Sequence, residues 1–337
     1  MNVYEIRGGF GLDNLTRTER EDPRPGPGEV LIEVRAASLN RRDLLMVEGT
    51  YNPKQPLPLV PLSDGAGVVL EVGPGVTRVR PGDRVAGLFC QRWVAGQPDR
   101  DDVRVTLGGP LDGMLRERAV LPEGGVARIP AHLSFEEAAT LPCAALTAWS
   151  ALVTLGRVKA GDTVLVLGTG GVSVFALQFA RLLGARVIAT SSSEEKLEHL
   201  KRLGAEHVVN YRETPGWGRV VRELTSGLGV DHVVEVGGAG TFNESVRALR
   251  IGGTMSLIGV LAGAADGIQL TPVFMSHIKV QGVFVGHRKS FEAMCRAIEA
   301  HGMRPVLDEV FAFEEAKGAF ERMAAGAHFG KIGVRVT

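Results

Sequence analysis

Residues 163–184, TVLVLGTGGVSVFALQFARLLG, contain the pattern that decides the fold. The run TVLVLG (163–168) is almost entirely apolar and predicts a buried strand. The segment VSVFALQFARLLG (172–184) predicts a helix, because its apolar residues recur at helical spacing and a glycine ends it. A glycine-rich turn connects the two. Strand, tight turn and helix in this order form the first half of a βαβ unit.

The same alternation of strands and helices continues to residue 286. Apolar runs predict strands at 185–191, 207–211, 230–238, 254–260 and 279–286, and helical spacing predicts helices at 194–204, 216–227 and 240–253. Ser192, three residues before Glu195, is expected to form a capping box at the helix over 194–204. Alternation of this kind predicts an α/β fold with a doubly wound parallel sheet, covered by helices on both faces.

The glycine-rich turn matches a dinucleotide-binding fingerprint. Gly168 and Gly170 take the first two glycine positions of GxGxxG, and Ser173 takes the third. The first glycine permits the tight turn, the second lets the backbone approach a pyrophosphate, and the third position needs a small side chain. The helix N-terminus at Gly171 and Val172 offers free N–H groups and a positive dipole to that anion. A glycine turn without a ligand has the same local sequence, but the position between a strand and a helix favours nucleotide binding.

The end of the second strand of this fold indicates which nicotinamide cofactor binds. An acidic residue about 20 residues after the fingerprint would bind the ribose hydroxyls of NAD, but this position is Ser191. Ser191 and Ser192 can donate hydrogen bonds to a ribose 2′-phosphate, Lys196 can add positive charge, and Tyr211 can close over the same pocket. This pattern favours NADPH over NADH. The serines could instead only cap the next helix, with Lys196 as a surface charge, and the two roles can coexist.

Composition excludes several classes of protein. The 337 residues suggest about two domains, and 45% of them are hydrophobic, which excludes a disordered chain. Lys plus Arg and Asp plus Glu number 38 each, so no basic surplus attracts nucleic acid or an anionic membrane. No apolar run is long enough to span a membrane, and we expect no signal peptide. The three scattered cysteines fit a reducing, cytoplasmic location. No CxxC, HExxH, GxSxG or phosphate-loop motif is present.

The first 130 residues have a different texture from the alternating region. Turn signals such as PGPGE (25–29) and RPGDRV (80–85) separate short β-type runs, which predicts a mostly β region with polar hairpins. Residues 91–113 have no clear period and are expected to form a long surface excursion. Residues 133–156 have helical spacing that Pro142 should break. The end of the chain, from about residue 290, predicts two helices and a last strand, KIGVRV.

This order of segments resembles the medium-chain dehydrogenase/reductase superfamily over nearly the whole chain. The stretches that carry the resemblance are AASLNRRDLLMVEG, LSDGAGVVLEVGPGV, RPGDRV, LPCAALTAWSAL, VLVLGTGGVS, LGAEHVVNYRE and HFGKIGV. Among the branches of the superfamily, the chain looks most like the quinone oxidoreductases and their zinc-type-alcohol-dehydrogenase-like relatives. The resemblance implies a GroES-like β-rich catalytic domain at 1–143, completed by 287–337, and a Rossmann dinucleotide-binding domain at 144–286.

The resemblance also shows what the chain lacks. In the zinc enzymes of that superfamily, a Cys, a His and a second Cys hold the catalytic metal, with a Glu beside the His. Matching the motifs places Asn40 at the first Cys, Ser63 at the His, Asp64 at the Glu and Cys143 at the second Cys. Zinc prefers thiolate, imidazole or carboxylate ligands, so we expect no zinc here. The lobe that holds a structural zinc in the family contains only Cys90 in this chain.

Without a metal, the resemblance implies hydride transfer from NADPH to a quinone or an α,β-unsaturated carbonyl compound. Hydride adds to the conjugated carbon, and the resulting anion needs only hydrogen-bond donors. The candidate donors are Asn40, Tyr51, Arg42 and the cofactor ribose, and either Tyr51 or water would deliver the proton. Asp43 is expected to be a structural partner of a nearby arginine, and Cys143 a buried structural thiol.

Further cofactor contacts are implied by the resemblance at positions outside the fingerprint. These are Arg41 at the pyrophosphate, Thr147 at the nicotinamide, Gly259 and the backbone of Phe284 to Gly286 at the carboxamide, and Lys331 returning from the C-terminal segment. A homodimer joined at sheet edges, through 279–286 or its neighbour, is also implied.

Two alternative functions remain open at the level of sequence. One is an alcohol or aldehyde dehydrogenase that recruits a metal through Cys143 and Asp64, and the other is a non-catalytic NADPH-binding redox sensor. The sequence does not identify the physiological substrate.

Overall fold

The computed structural model describes residues 1–261 and 267–337. The described chain divides into two compact units, one formed by Met1–Leu146 with Gly286–Thr337 and the other by Thr147–Val285. The sequence-based division placed the first boundary after residue 143 and the second after residue 286. Each unit is built around its own sheet.

The strands, in chain order, follow. They are β1 (Asn2–Ile6), β2 (Leu15–Glu19), β3 (Glu29–Ser38), β4 (Asp64–Val72), β5 (Arg84–Gly87), β6 (Arg118–Pro122), β7 (Val126–Arg128), β8 (Thr163–Leu167), β9 (Arg186–Ser191), β10 (His207–Asn210), β11 (Val230–Glu235), β12 (Leu249–Leu257), β13 (Lys279–Gly282), β14 (Leu307–Ala312) and β15 (Lys331–Arg335).

The α-helices follow in the same order. They are α1 (Arg41–Val47), α2 (Phe135–Ala138), α3 (Leu146–Trp149), α4 (Gly171–Leu182), α5 (Glu194–Arg202), α6 (Trp217–Leu224), α7 (Ala239–Ala248), α8 (Thr271–Met275), α9 (Arg288–Ala300) and α10 (Ala316–Ala324). Helix α3 is flanked by two π-helical segments, Leu141–Ala145 and Ser150–Thr154. Pro142 was expected to break a helix here, but it lies in the first turn of the π-helical segment, where its missing N–H would have no partner.

The unit formed by Thr147–Val285 contains the predicted parallel sheet. Its six strands lie in the order β10-β9-β8-β11-β12-β13, and all the pairs are parallel. All five residues of β8 are buried, which agrees with the continuous apolar run in the sequence. The prediction of one helix over 240–253 was wrong: α7 ends at Ala248, and β12 begins at Leu249, which pairs with Val230 of β11. Strand pairing with a distant segment overrides the local helical spacing there.

The unit that contains both chain ends is β-rich. Strands β1 and β2 form a hairpin, and seven strands form a sheet in which β14-β15-β3-β4-β5-β7 are neighbours and β6 also pairs with β3. A single apolar core joins this sheet to α10 and to the β1–β2 pair. In the register of the sheet, Ser38 lies opposite Asp64 of β4 on one side and Gly333 of β15 on the other. The end of β3, the start of β4 and the start of β15 therefore meet at one edge.

Within the described residues, none of the helices has the length and apolar character needed to cross a membrane.

Candidate active site

A cluster of polar side chains lies where β3, β4 and β15 meet in the β-rich unit. Asn40 follows β3 and precedes α1, Ser63 and Asp64 lie at the start of β4, and Lys331 is the first residue of β15. The side chains of Ser63, Asp64 and Lys331 are buried, whereas Asn40 is partly exposed. The cluster therefore contacts solvent through Asn40.

The four side chains form a closed ring. The Lys331 ammonium donates to Asn40 Oδ1 at 2.6 Å, and Asn40 Nδ2 donates to Ser63 Oγ at 3.3 Å. The Ser63 hydroxyl donates to Asp64 Oδ1 at 2.9 Å, and Asp64 Oδ2 lies 3.7 Å from Lys331 Nζ, which completes the ring. The ammonium also donates to the carbonyl oxygen of Leu39 at 2.5 Å. Every bond has a consistent donor and acceptor, so the ring satisfies a set of polar groups that would be costly to bury alone.

Burial controls the protonation of the acidic groups around the ring. Burial raises the pKa of Asp64, and the neighbouring Lys331 charge and the bonds from Asn40, Ser63 and the Cys143 N–H oppose that shift. Burial also raises the pKa of the Cys143 thiol well above its ordinary value, and the Asp64 charge raises it further. Without a metal, Cys143 is therefore a neutral thiol at physiological pH and not a thiolate nucleophile.

Asp43 binds the backbone of two residues of the ring. Its carboxylate accepts the N–H of Ser63 at 3.1 Å and the N–H of Asn40 at 2.8 Å, so it fixes the backbone of both ring residues. Burial raises the pKa of Asp43 to about 6, and the nearby Arg42 charge opposes the shift. Asp43 was expected to be a structural partner of a nearby arginine; the Arg42 charge does act on it, while its hydrogen bonds go to the backbone N–H groups of Asn40 and Ser63.

Arg42 was predicted to donate a hydrogen bond to the substrate, and in the structure it contacts backbone carbonyl oxygens and two aromatic rings. Its terminal nitrogens donate to the carbonyl oxygens of Leu107 and Gly109, and its guanidinium lies 5.0 Å from the ring centroids of both Tyr51 and Phe89. Arg42 thus holds the 106–109 backbone and the Tyr51 ring in place. Tyr51 itself is 49% exposed, so its ring is accessible to a ligand and to water.

The donor set at the ring does not fit a zinc ion. An amide and a hydroxyl stand at two of the three ligand positions, and neither is a preferred zinc ligand, which leaves only the Cys143 thiol at the third. The Lys331 ammonium already lies beside the Asp64 carboxylate and would repel a dication there. Among the described residues there is no group of three or more His, Cys, Asp or Glu side chains arranged to hold a metal.

The glycine-rich turn has the local geometry that a pyrophosphate needs. Gly168 has a φ of 73°, which favours glycine, and a Cβ at Gly168 or Gly170 would meet no atom within 4 Å. Open space therefore lies beside the backbone at both positions. Gly170 precedes α4 and no side chain caps that helix, while Ser173 is buried and donates to Leu167 O at 2.6 Å. Ser173 thus ties helix to strand, and the residues at this turn fit a dinucleotide pyrophosphate.

The residues predicted to hold a 2′-phosphate lie around the ends of β9 and β10. Ser191 ends β9, and its carbonyl oxygen accepts the N–H of Tyr211 at 3.1 Å, which joins the two strand ends. Ser193, not Ser192, caps α5, because its Oγ accepts the Lys196 N–H at 3.4 Å. Ser192 is partly exposed and Tyr211 is 41% exposed. Ser192 is therefore not used as the helix cap.

The remaining predicted cofactor residues are distributed over both units, and their roles stay predictions. Thr147 is buried at the start of the Rossmann-type unit, and Phe284 near its end is 40% exposed. A Cβ at Gly259 would approach Val236 O to 2.5 Å, so only glycine fits there. Gly286 and the exposed Arg41 belong to the β-rich unit. Lys331 was predicted to reach the cofactor, and the structure places its ammonium in the ring with Asn40.

Comparison with known proteins assigns both units to families. The alcohol dehydrogenase GroES-like domain family matches residues 26–131, and the zinc-binding dehydrogenase family matches residues 171–300. A zinc-type alcohol dehydrogenase-like protein of Schizosaccharomyces pombe is 44% identical over 97% of this chain and 96% of its own length. The chain belongs to the medium-chain dehydrogenase/reductase superfamily, in its zinc-type alcohol dehydrogenase-like branch. An acryloyl-coenzyme A reductase of Metallosphaera sedula is 31% identical over 93% of this chain and 94% of its own.

Solved structures agree with this assignment. A putative alcohol dehydrogenase from Sinorhizobium meliloti superposes with a TM-score of 0.94 at 40% identity, covering 99% of this chain and 98% of that one. An NAD-dependent alcohol dehydrogenase gives 0.92 at 36% identity over the whole of both chains. A mycobacterial protein in complex with NADPH gives 0.83 at 28% identity, again over both whole chains. The predicted GroES-like and Rossmann architecture is confirmed, and the chain is an oxidoreductase of this family.

Proposed function

We propose that this oxidoreductase transfers hydride from NADPH to the conjugated carbon of a quinone or an α,β-unsaturated carbonyl compound, without zinc. The observation that carries the proposal is the ring of Asn40, Ser63, Asp64 and Lys331, in which the lysine ammonium lies against the Asn40 amide oxygen and beside the Asp64 carboxylate. The acryloyl-coenzyme A reductase among the relatives supports an enone-type acceptor.

Metal-free chemistry suits an activated acceptor better than an alcohol. A zinc enzyme polarises an alcohol or carbonyl oxygen through the metal, whereas a conjugated acceptor develops an enolate or hydroquinone anion that hydrogen-bond donors can stabilise. When bound, NADPH supplies the hydride. Asn40 is partly exposed, so its amide N–H is our candidate donor to that anion. Tyr51 is exposed and can exchange a proton with water.

The preference for NADPH rests on the end of β9. Ser191 stands where an NAD-specific protein would carry an acid, so no carboxylate at that position repels a 2′-phosphate. Lys196 in the first turn of α5 and the exposed Tyr211 ring lie at the same end of the sheet. The NADPH complex of the mycobacterial relative supports the same preference. Because another relative is NAD-dependent, the affinities for NADPH and NADH have to be measured side by side.

An alcohol or aldehyde dehydrogenase is the second candidate. The names of the relatives favour it. A non-catalytic NADPH-binding redox sensor is the third candidate function.

We propose a cytoplasmic location for any of these functions, because the three cysteines are free thiols.

A panel of acceptors separates these functions. NADPH oxidation is followed with quinones and enones in one set and with saturated aldehydes in another, and alcohols are tested with NADP⁺. We expect turnover with the conjugated acceptors and at least 100-fold lower kcat/KM with saturated aldehydes. Preferred turnover of alcohols or saturated aldehydes would favour the second candidate, and NADPH binding with no turnover of any acceptor would favour the sensor.

A further inference from the structure

We propose that Lys331 is a positioning residue that turns the Asn40 amide so that its N–H group faces the oxygen of the acceptor. This inference rests on the proposed function and goes beyond it, because it assigns a role to the C-terminal lysine that was predicted to contact the cofactor. Lys331 acts through Asn40 and does not itself touch the substrate.

The chemistry of the two groups fixes the orientation of the amide. A protonated lysine has three donors and no acceptor, so the amide atom that faces it must be the oxygen. Lys331 Nζ lies 2.6 Å from Asn40 Oδ1, which is a charge-assisted hydrogen bond. The amide nitrogen is therefore turned to the other side, where one N–H donates to Ser63 Oγ at 3.3 Å. The nitrogen carries a second N–H, and the Asn40 side chain also bonds the Asp64 carboxyl and lowers its pKa. Asn40 is the partly exposed member of the ring, so the proposal requires an acceptor oxygen to share this N–H with Asp64.

The lysine is itself held tightly enough to impose this orientation. Lys331 is 3% exposed, and its ammonium also donates to Leu39 O at 2.5 Å, the residue just before Asn40. The nearest Asp64 oxygen is 3.7 Å away, so Lys331 lies closer to the Asn40 amide than to its counter-ion. Asp64 balances the charge, while the short bond is the one that aligns Asn40.

The same contact makes the amide a stronger donor. Positive charge at the carbonyl oxygen draws electron density from the amide nitrogen, and in a buried site this polarisation is little screened by water. A polarised N–H stabilises a developing enolate or hydroquinone anion better than it stabilises the neutral carbonyl, so it lowers the barrier more than it improves binding. The site thus obtains part of a metal's effect through an amide.

A double-mutant cycle between Lys331 and Asn40 tests the proposal, with whichever quinone or enone the wild type reduces. We expect Lys331→Met to lower kcat about 10- to 100-fold, in the range found when one anion-stabilising donor is lost, and to leave the dissociation constant of NADPH within about twofold. In an Asn40→Ala background, Lys331→Met should lower kcat by less than about twofold. Lys331→Arg, which keeps a donor, should restore most of the activity.

Two further variants and a control keep the result interpretable. If Lys331→Met leaves Asp64 as an unpaired buried charge and fails to fold, Lys331→Met with Asp64→Asn removes both charges and should show the same loss in kcat. Asn40→Asp keeps a partner for the lysine and removes the N–H donor, so it should also lower kcat. Lys159→Met, at a side chain 75% exposed in the other unit, should change neither kcat nor the NADPH dissociation constant.

Three outcomes would overturn the assignment. Additive losses in the double mutant would mean that Lys331 acts independently of Asn40. A large rise in the NADPH dissociation constant with unchanged kcat would mean that Lys331 contacts the cofactor, as the resemblance implied. Full activity in the charge-neutral double variant would make the ring purely structural. Failure of the wild type to reduce any quinone or enone would overturn the proposed function instead, which keeps the two failures distinct.

Discussion

Asp64 and His232 are both buried ionisable side chains, but their surroundings differ. Asp64 lies in the candidate active site, where burial raises its pKa and four contacts, among them the Lys331 charge, oppose that rise. His232 in β11 is 2% exposed, its Nε2 lies 2.9 Å from Ser256 Oγ, and burial lowers its pKa to about 4. The Asp162 and Asp231 charges oppose that shift and do not overcome it. The carboxylate belongs to the polar ring, whereas the imidazole is part of the core.

His232 should make the protein sensitive to acid. Its folded pKa lies below the unfolded value of about 6.5, so the unfolded state binds more protons as the pH falls between about 6.5 and 4. The free energy of unfolding should therefore decrease over that window, by up to about 3 kcal/mol at the acid end. Urea unfolding of wild type and His232→Gln at pH 7, 6 and 5 measures the difference. His207→Gln, at a ring 41% exposed, is the control. Identical slopes for wild type and His232→Gln would refute this account of the histidine.

At the scale of the element, strand and helix ends place the functional groups. The ends of β3, β4 and β15 build the ring, and the ends of β8 and β9 with the N-termini of α4 and α5 form the region proposed to bind the nucleotide. These ends follow from local sequence in the Rossmann-type unit, because glycines and capping serines mark them. In the β-rich unit they depend on pairing between distant strands.

The cofactor preference belongs to the β9–α5 connection. Ser191→Asp with Lys196→Ala places a carboxylate where the 2′-phosphate is proposed to lie and removes a nearby cation. We expect the dissociation constant of NADPH to rise at least 30-fold and that of NADH to change less than about threefold, as measured by fluorescence titration. Lys201→Ala, later in the same helix and 50% exposed, is the matched control. Equal losses for both cofactors would place the 2′-phosphate elsewhere.

The site residues proposed from the sequence alone are those that depend on short-range motifs or on motif matching. Gly168, Gly170 and Ser191 follow from the strand–turn–helix pattern, and Asn40 and Asp64 follow from motif matching to the superfamily. The contact between Lys331 and Asn40 joins residues 291 positions apart through the pairing of β15 with β3, and no local period encodes such a pairing. The residue type offered a weak signal, since a lysine that begins an apolar strand near the chain end is a candidate for a buried charge.

Other misses in the sequence analysis were local in origin. The run of three serines at 191–193 offers equivalent capping side chains, and the point where β9 ends selects Ser193. Strands β1, β2 and β14 were not predicted, because their alternation of apolar and charged residues is short and unmarked by turn motifs. Arg42 was predicted to face the substrate, but two aromatic rings and two carbonyl oxygens hold it.

At the scale of the whole molecule, the edge strand of the parallel sheet is the main unpaired feature. Among the residues that the structure describes, strand β13 pairs only with β12, and all four residues of β13 are exposed. Val280 within it is 41% exposed, and Phe274 and Met275 of the preceding helix α8 are 64% and 69% exposed. An unprotected edge with apolar neighbours favours association with another strand. We propose that two copies of the chain join at this edge.

Light scattering tests this assembly. The wild type should give twice the chain mass of 35.9 kDa at micromolar concentration, and Val280→Lys should shift it toward the monomer, because a lysine on an edge strand opposes pairing. Leu228→Lys, at a side chain 72% exposed after α6, should leave the dimer intact. A monomeric wild type, or a dimeric Val280→Lys variant, would contradict the proposed edge.

The central claim is that this oxidoreductase transfers hydride from NADPH to a conjugated acceptor without a metal, and that the ring of Asn40, Ser63, Asp64 and Lys331 supplies the hydrogen-bond donor to that acceptor. The most direct test is to measure the zinc content of the purified protein by mass spectrometry, and then to measure NADPH oxidation with its best enone or quinone before and after dialysis against a chelator. The account predicts less than about 0.1 zinc per chain and a kcat unchanged by chelation. Stoichiometric zinc, with activity that is lost on chelation and restored by added zinc, would contradict it.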